Sequence, residues 1–266
     1  MTTALLILAV VFTALMMFGV PVSFSIGIAT LLALFTVTPT PNTALIVSAQ
    51  RVASSLDSFT LVAIPLFILA GGLMNTGGIA MRLIDLAKVL VGWLPGSLAQ
   101  ISVVANALFG AISGSAVASA ASVGATLSPL QRQAGYNMPI CAAANVASSP
   151  CGLLIPPSGA LIVYSLISGG TPVDVLFVAG YIPGILMAGS VMLWLAIIAR
   201  RGELPTDVRR YSMNEAAHIF WRALPALAMI AIIMGGIVGG IFTATEAAGV
   251  AALYTLVLGL LYRSLT

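Results

Sequence analysis

Apolar residues run in blocks along this chain, and the polar residues among them behave in two ways. In some blocks they recur at helical spacing; in others Gly, Ser and Pro cut across an otherwise continuous apolar run. Before the first charge, Arg51, the pattern predicts two helices, Ala4 to Val20 and Val22 to Val37, parted at Pro21 and closed by Pro39 and Pro41. From Thr43 to Asp57, Leu45, Ala49, Val52 and Leu56 lie opposite Gln50, Ser54 and Asp57, as in a helix lying along an interface. Phe59 to Asn75 reads as a span. Ile79 to Leu94 repeats the interfacial pattern, with Ile79, Leu83, Leu86 and Leu90 opposite Arg82, Asp85 and Lys88, and is expected to lie flat on the membrane.

Between Val89 and Val173 only Arg132 is charged. Ser97 to Phe109 and Val117 to Leu127 are each about a dozen residues, too short to cross a bilayer comfortably alone. Separated by a small-residue break at Ser113 to Ser115, they suggest a re-entrant hairpin. Asn137 to Ser168 is expected to cross once, interrupted from Pro150 to Ser158, and Val175 to Ala199 to cross uninterrupted. After a polar linker, Arg200 to Glu215, come Leu224 to Gly240, a break at Ile241 to Thr245, and Ala247 to Tyr262. That order resembles the opening helix, break, helix, and starts from the opposite side, as in the inverted repeats of secondary transporters. The expected fold is an all-α polytopic membrane protein with a re-entrant helical hairpin, a broken helix and an inverted-repeat, ion-transporter-like architecture. Its segments are residues 1–94, scaffold and interfacial helices; 95–174, the transport part; 175–215, a scaffold helix and cytoplasmic linker; and 216–266, the start of a second inverted repeat.

Composition fixes the solvent: 60% hydrophobic residues, 6% charged and a mean hydropathy of +1.14 describe a chain that lives mostly in lipid. The formal net charge of +3 is spread along the chain, which argues against a nucleic-acid partner. With the amino terminus outside and the hairpin not crossing, Arg51 alone falls outside and every other basic residue inside; the opposite orientation reverses that score. The first segment lacks a basic leader and is expected to be retained. Cys141 and Cys151 would stand roughly 15 Å apart on a helix, too far for a disulfide.

A helix broken at membrane depth frees backbone groups that must find partners in protein, water or ligand. Half-helix amino termini suit anions, and unwound carbonyls suit a hard cation such as Na⁺. At the hairpin tip, Gly110, Gly114 and the hydroxyls of Ser113 and Ser115 allow tight turns with oxygen ligands. Around Pro150, Pro156 and Pro157 stand Ser148, Ser149, Gly152 and Ser158. Close helix packing also uses small residues, and is the preferred reading for Ser97, Ser102 and Ser122; at the tip and the Pro-Pro break ligation is preferred, because packing needs no broken helix. Asn145 either binds ligand or bonds across helices. With no carboxylate in either break, Na⁺ coupling is favoured over proton coupling. The candidate Na⁺ site is thus Ser113, Gly114, Ser115, Gly152 and Pro156, and the candidate substrate site Ser115, Asn145, Ser149, Pro157 and Ser158. Glu246 lies in Thr243-Ala-Thr-Glu246, a capping box, and His218 at a helix entrance. No metalloenzyme signature and no organic cofactor are indicated.

The runs FGAISGSAVASAASVG (Phe109 to Gly124), GYNMPICAAANVASSPCGLLIPPSGALIVY (Gly135 to Tyr164), LFVAGYIPGIL (Leu176 to Leu186), GIFTATEAAGVAALY (Gly240 to Tyr254) and IPLFILAGGLM (Ile64 to Met74) resemble the large membrane subunit of tripartite ATP-independent periplasmic (TRAP) transporters, the DctM-like family. The resemblance implies a transporter and not an enzyme: Na⁺-driven uptake of an organic acid, commonly a C4-dicarboxylate or sialic acid, across the bacterial inner membrane. It also implies a periplasmic substrate-binding protein, a small four-helix membrane subunit and an elevator-like movement of the hairpin domain. The family normally continues through a second inverted half, and the expectations for this chain are three: a fragment, a truncated product or one part of a split subunit. Two other readings stay open: a Na⁺/carboxylate transporter that needs no binding protein, and an intramembrane hydrolase with Ser113 or Ser115 as nucleophile, for which His218 is a poorly placed base.

Overall fold

The computed structural model describes residues 2–57, 59–76, 78–168, 171–206 and 211–262, and among these the regular structure is entirely helical. Contacts divide the chain into two units, Met1–Ser58 and Phe59–Thr266. The second takes in the end of the 1–94 segment and everything from residue 95 on.

In the first unit, α1 (Thr2–Met17) packs along α2 (Val22–Phe35), and α3 (Pro41–Leu56) follows. The end of α1 is set by Gly19 at φ 77°, where the Val20 N–H donates back to the Leu15 carbonyl at 3.1 Å and closes the last turn. At 16 and 14 residues, α1 and α2 are shorter than the sequence pattern suggests and than the roughly 20 residues that cross a bilayer upright. Thr40 caps α3 by accepting from the Thr43 N–H at 3.2 Å. The stripe of Leu45, Val52 and Leu56 stays exposed, and only Ala44 of α3 is buried.

The second unit opens with a 3₁₀ turn (Phe59–Val62) leading into α4 (Ala63–Thr76), followed by α5 (Ile79–Val91). Most of the α5 stripe is buried in protein: Ile79, Leu83, Ile84, Leu86 and Ala87 are covered as the helix packs against residues 97–113 and 213–238. Its polar face pairs locally, Lys88 Nζ meeting Asp85 Oδ1 at 2.8 Å, while the Arg82 guanidinium lies 3.6 Å over the Tyr262 ring. An amphipathic stripe has the same period whether protein or lipid covers it; here protein covers Ile79, Leu83 and Leu86, and Leu90 stays exposed.

The hairpin is α6 (Ser97–Ser113) and α7 (Ala116–Gln133), longer at 17 and 18 residues than the two half-helices expected. Gly110 lies inside α6; the turn is Gly114 and Ser115 alone, Gly114 at φ 62°. The lower end is tied shut by Gln131, whose amide donates to the Leu98 carbonyl at 3.1 Å and to Ser102 Oγ at 3.0 Å. This anchoring carries α7 past Pro129.

Next, α8 (Met138–Ser148) runs on through one helical turn, α9 (Cys151–Leu154), and then bends by 48° into α10 (Gly159–Ser168). The interruption is therefore narrower than expected, Ile155 to Ser158: Pro150 is tolerated where a new turn begins, and the Leu153 N–H reaches the Pro150 carbonyl at 2.9 Å. Among the described residues, three uninterrupted helices are long and apolar enough to cross a membrane: α11 (Val173–Arg200), α12 (Met213–Val238) and α13 (Ala244–Leu261). The break between the last two falls at Gly239–Thr243. There Gly240 takes φ 69° and the Phe242 N–H returns to the Gly236 carbonyl at 3.0 Å. Glu246 caps α13, accepting from the Thr243 N–H at 2.8 Å. The largest core cluster joins α4, α12 and α13, with Ile162 of α10 and Phe177 of α11 inserted. The chain is a multi-pass, all-α membrane protein.

Candidate functional site

Glycine decides how closely the broken segments approach. A Cβ on Gly110 would stand 2.5 Å from the Gly152 Cα, so α6 and α9 cross backbone to backbone. On the far side of the break, α11 presents Gly180 to the Leu154 carbonyl and Gly184 to Ile155, where a Cβ would meet Cγ1 at 2.6 Å. A Cβ on Gly71 of α4 would lie 2.8 Å from the Ser113 Cα. Residues 154–155 are thus held between α6 and α11, and the hairpin tip between α4 and the break.

The two interruptions meet. A Cβ on Gly114 would stand 3.2 Å from the Gly159 N, which brings the end of α6 to the start of α10. A cavity of about 530 Å³ opens there, lined by Ile64, Phe67, Ile68, Gly71 and Gly72 of α4, Phe109 and Ser113 of α6, Gly114, Ser115, Ala118 of α7, and Gly159, Ala160 and Val163 of α10. Helix ends leave carbonyls free at their carboxyl side and N–H groups free at their amino side. The end of α6 therefore brings partial negative charge to the cavity, and the starts of α7 and α10 bring partial positive charge.

The side chains add neutral oxygens. Ser113 is 6% exposed, and its Oγ has only long contacts, 3.4 Å, to the Ser115 carbonyl and N–H. Ser115 Oγ accepts from the Ala118 N–H at 3.3 Å, which leaves its own proton to donate. Ser158, fully buried in the break one residue before Gly159, has a hydroxyl with no hydrogen-bond partner among the described residues. That hydroxyl does not reach the cavity, so the side-chain donors on the wall are Ser113 and Ser115.

Of the sequence-derived candidates, Ser113, Gly114 and Ser115 line this cavity. Pro156, Pro157 and Ser158 are buried behind its α10 wall. Gly152 sits in the crossing with Gly110, and Ser149 Oγ donates to the Val146 carbonyl at 3.0 Å within its own helix. Asn145 is not on the cavity wall: its amide nitrogen donates to the Ala120 carbonyl at 2.8 Å and its Oδ1 accepts from Asn106 Nδ2 at 2.9 Å. It takes the cross-helix alternative that the sequence left open. Asn106, which the sequence reading passes over, is the hub of that bonding; its only local signal is a polar residue in the apolar text of α6.

The chain matches the family model described as "Tripartite ATP-independent periplasmic transporter, DctM component" over residues 9–266. It belongs to that family, whose members are transporters and not enzymes, and the hydrolase alternative falls with that assignment. It is 52% identical over 254 residues to the protein YgiK of Salmonella typhimurium, described as uncharacterized, covering 96% of this chain and 58% of that protein. It is 38% identical to the sialic acid TRAP transporter permease protein SiaT of Haemophilus influenzae, covering 100% of this chain and 42% of that one. It is 34% identical to the C4-dicarboxylate TRAP transporter large permease protein DctM of Rhodobacter capsulatus, covering 95% and 60%. The chain spans about half the length of these relatives.

Proposed function

We propose that this chain forms the part of a TRAP large membrane subunit that carries one ion and substrate half-site, in a Na⁺-coupled importer of a small organic acid of the C4-dicarboxylate or sialic-acid type. The observation that carries the reading is the meeting of the hairpin tip with the broken helix at one cavity, where the carboxyl end of α6 faces the amino ends of α7 and α10. Carbonyls at the end of α6 and the hydroxyls of Ser113 and Ser115 are neutral, compact oxygen ligands of the kind a desolvated Na⁺ accepts. The amino terminus of α10 offers N–H donors to a carboxylate, and Ser115 can add its hydroxyl proton. An ion on one wall lowers the cost of bringing an anion to the other, and that mutual attraction couples the two. The relatives named for sialic acid and C4-dicarboxylates support the substrate class.

In this reading the subunit works in the bacterial inner membrane with its amino terminus periplasmic. A small four-helix membrane subunit accompanies it, and a periplasmic binding protein delivers the acid. The hairpin and broken helix belong to the moving domain, and α12 and α13 begin an inverted repeat of the opening helices. The test is uptake into proteoliposomes holding the complete permease, with and without a Na⁺ gradient and the binding protein. Uptake that needs both is expected, and Ser113→Ala is expected to lower it about tenfold, one buried hydrogen bond's worth. Uptake indifferent to the binding protein favours the binding-protein-independent transporter. Uptake driven by ATP without a gradient rejects the mechanism.

A further inference from the structure

Behind the cavity, a second layer of polar groups joins the pieces that form it. Asn106 of α6 is fully buried, and its Nδ2 lies 2.9 Å from Asn145 Oδ1, 3.0 Å from the Asn145 carbonyl and 2.8 Å from Ser148 Oγ, all on α8. Its Oδ1 accepts from Ser119 Oγ of α7 at 2.7 Å, and Ser119 also lies 3.2 Å from the Asn106 carbonyl. Asn145 closes the loop by donating to Ala120 of α7, beside Gly124, where a Cβ would stand 2.8 Å from its amide nitrogen. Ser119 and Ser148 are fully buried. Three helix segments are thus linked through one amide, whose hydrogens and oxygen all have partners.

We infer that Asn106 is a positioning residue: through Ser119 and Ser148 it fixes the spacing between the hairpin tip and the break at Ile155–Ser158. The inference deepens the reading of the cavity as a ligand site and rests on it. Three features support it. Asn106 stands two turns before the tip and one turn before Gly110, so its bonds act beside the α6–α9 crossing, where a Cβ on Gly152 would also lie 2.9 Å from the Asn106 carbonyl. A glycine crossing carries no side chain to resist sliding, whereas the directional bonds made one turn before it do. The groups involved are committed to one another and do not line the cavity, so their contribution to ligand binding runs through geometry.

Hydrogen exchange of the purified full chain in detergent, in NaCl against choline chloride at equal ionic strength, tests this. Asn106→Ala is expected to speed exchange about tenfold in peptides covering residues 110–118 and 152–160, to leave α13 unchanged, and to raise the NaCl concentration for half protection by a similar factor. Ser119→Ala leaves all three contacts of Asn106 Nδ2 in place and is expected to act on the same peptides to a smaller extent; it carries the test where Asn106→Ala yields no folded protein. Faster exchange spread evenly through the chain, α13 included, or unchanged exchange at both breaks, overturns the inference. If the unsubstituted chain shows no Na⁺-dependent protection while the Asn106→Ala difference persists, the ion-site reading fails and the positioning role stands.

Discussion

At Gly152 a single added methyl group would overlap the Gly110 Cα, and backbone cannot swing aside as a side chain can. Gly152→Ala is therefore expected to cost about 1–3 kcal/mol, the range for overpacking a tight interface, read as a lower thermal midpoint in detergent. Gly189, in the interior of α11, has nothing within 4 Å of its would-be Cβ. Gly189→Ala should raise the midpoint slightly, by the roughly 0.5–1 kcal/mol that separates the two residues in a helix. If both variants shift alike, close approach is not what Gly152 supplies. The pair matters for the site because the crossing of α6 and α9 sets where the hairpin tip lands. Gly152 was a candidate Na⁺ ligand from sequence. Its packing role leaves its carbonyl free to serve or not, whereas its missing Cβ is required.

Capping explains why the elements begin where they do. Thr243 and Glu246 form the reciprocal pair that starts α13, Glu246 N–H donating to Thr243 Oγ1 at 3.3 Å and Glu246 Oε2 accepting in return. Thr243→Ala should cost about 1 kcal/mol, visible as faster hydrogen exchange in the first turn of α13 with later turns unchanged. This box was legible from four consecutive residues, since both partners lie within the motif. The turn at Gly114 was legible for the same reason, the conformation being encoded where it occurs, whereas the second break was expected from Pro150 and begins only at Ile155. The fate of α5 was not, because Ile79, Leu83 and Leu86 specify an apolar stripe without saying what covers it. Nor was Asn106, whose partners lie at positions 119, 145 and 148 and meet it only once α7 and α8 are in place. At the tip, residue types told where the chain turns; the cavity needed α4, whose apolar text gives no hint of a binding wall.

Across the whole molecule, charge and helix length together constrain orientation. α12 is 26 residues, about 39 Å, long enough to cross the roughly 30 Å hydrocarbon layer even when tilted. The turns at its two ends must then lie on opposite sides. Before it come Arg200 and Arg201 at the end of α11 and Arg209 and Arg210, which lie outside the described residues; after it, Gly239 to Thr243 carry no charge. Holding Lys and Arg in the cytoplasm puts Glu203 inside and Ile241 outside. Both are exposed, while Cys141 and Cys151 are buried and free, so a single cysteine introduced at either turn can be labelled against a quiet background. Glu203→Cys should react with a membrane-impermeant maleimide only after permeabilisation, and Ile241→Cys in intact cells. The reverse pattern would turn the cavity's hairpin to the opposite face, and the hairpin tip would then approach the acid from the cytoplasm. Delivery by a periplasmic binding protein would no longer fit the geometry.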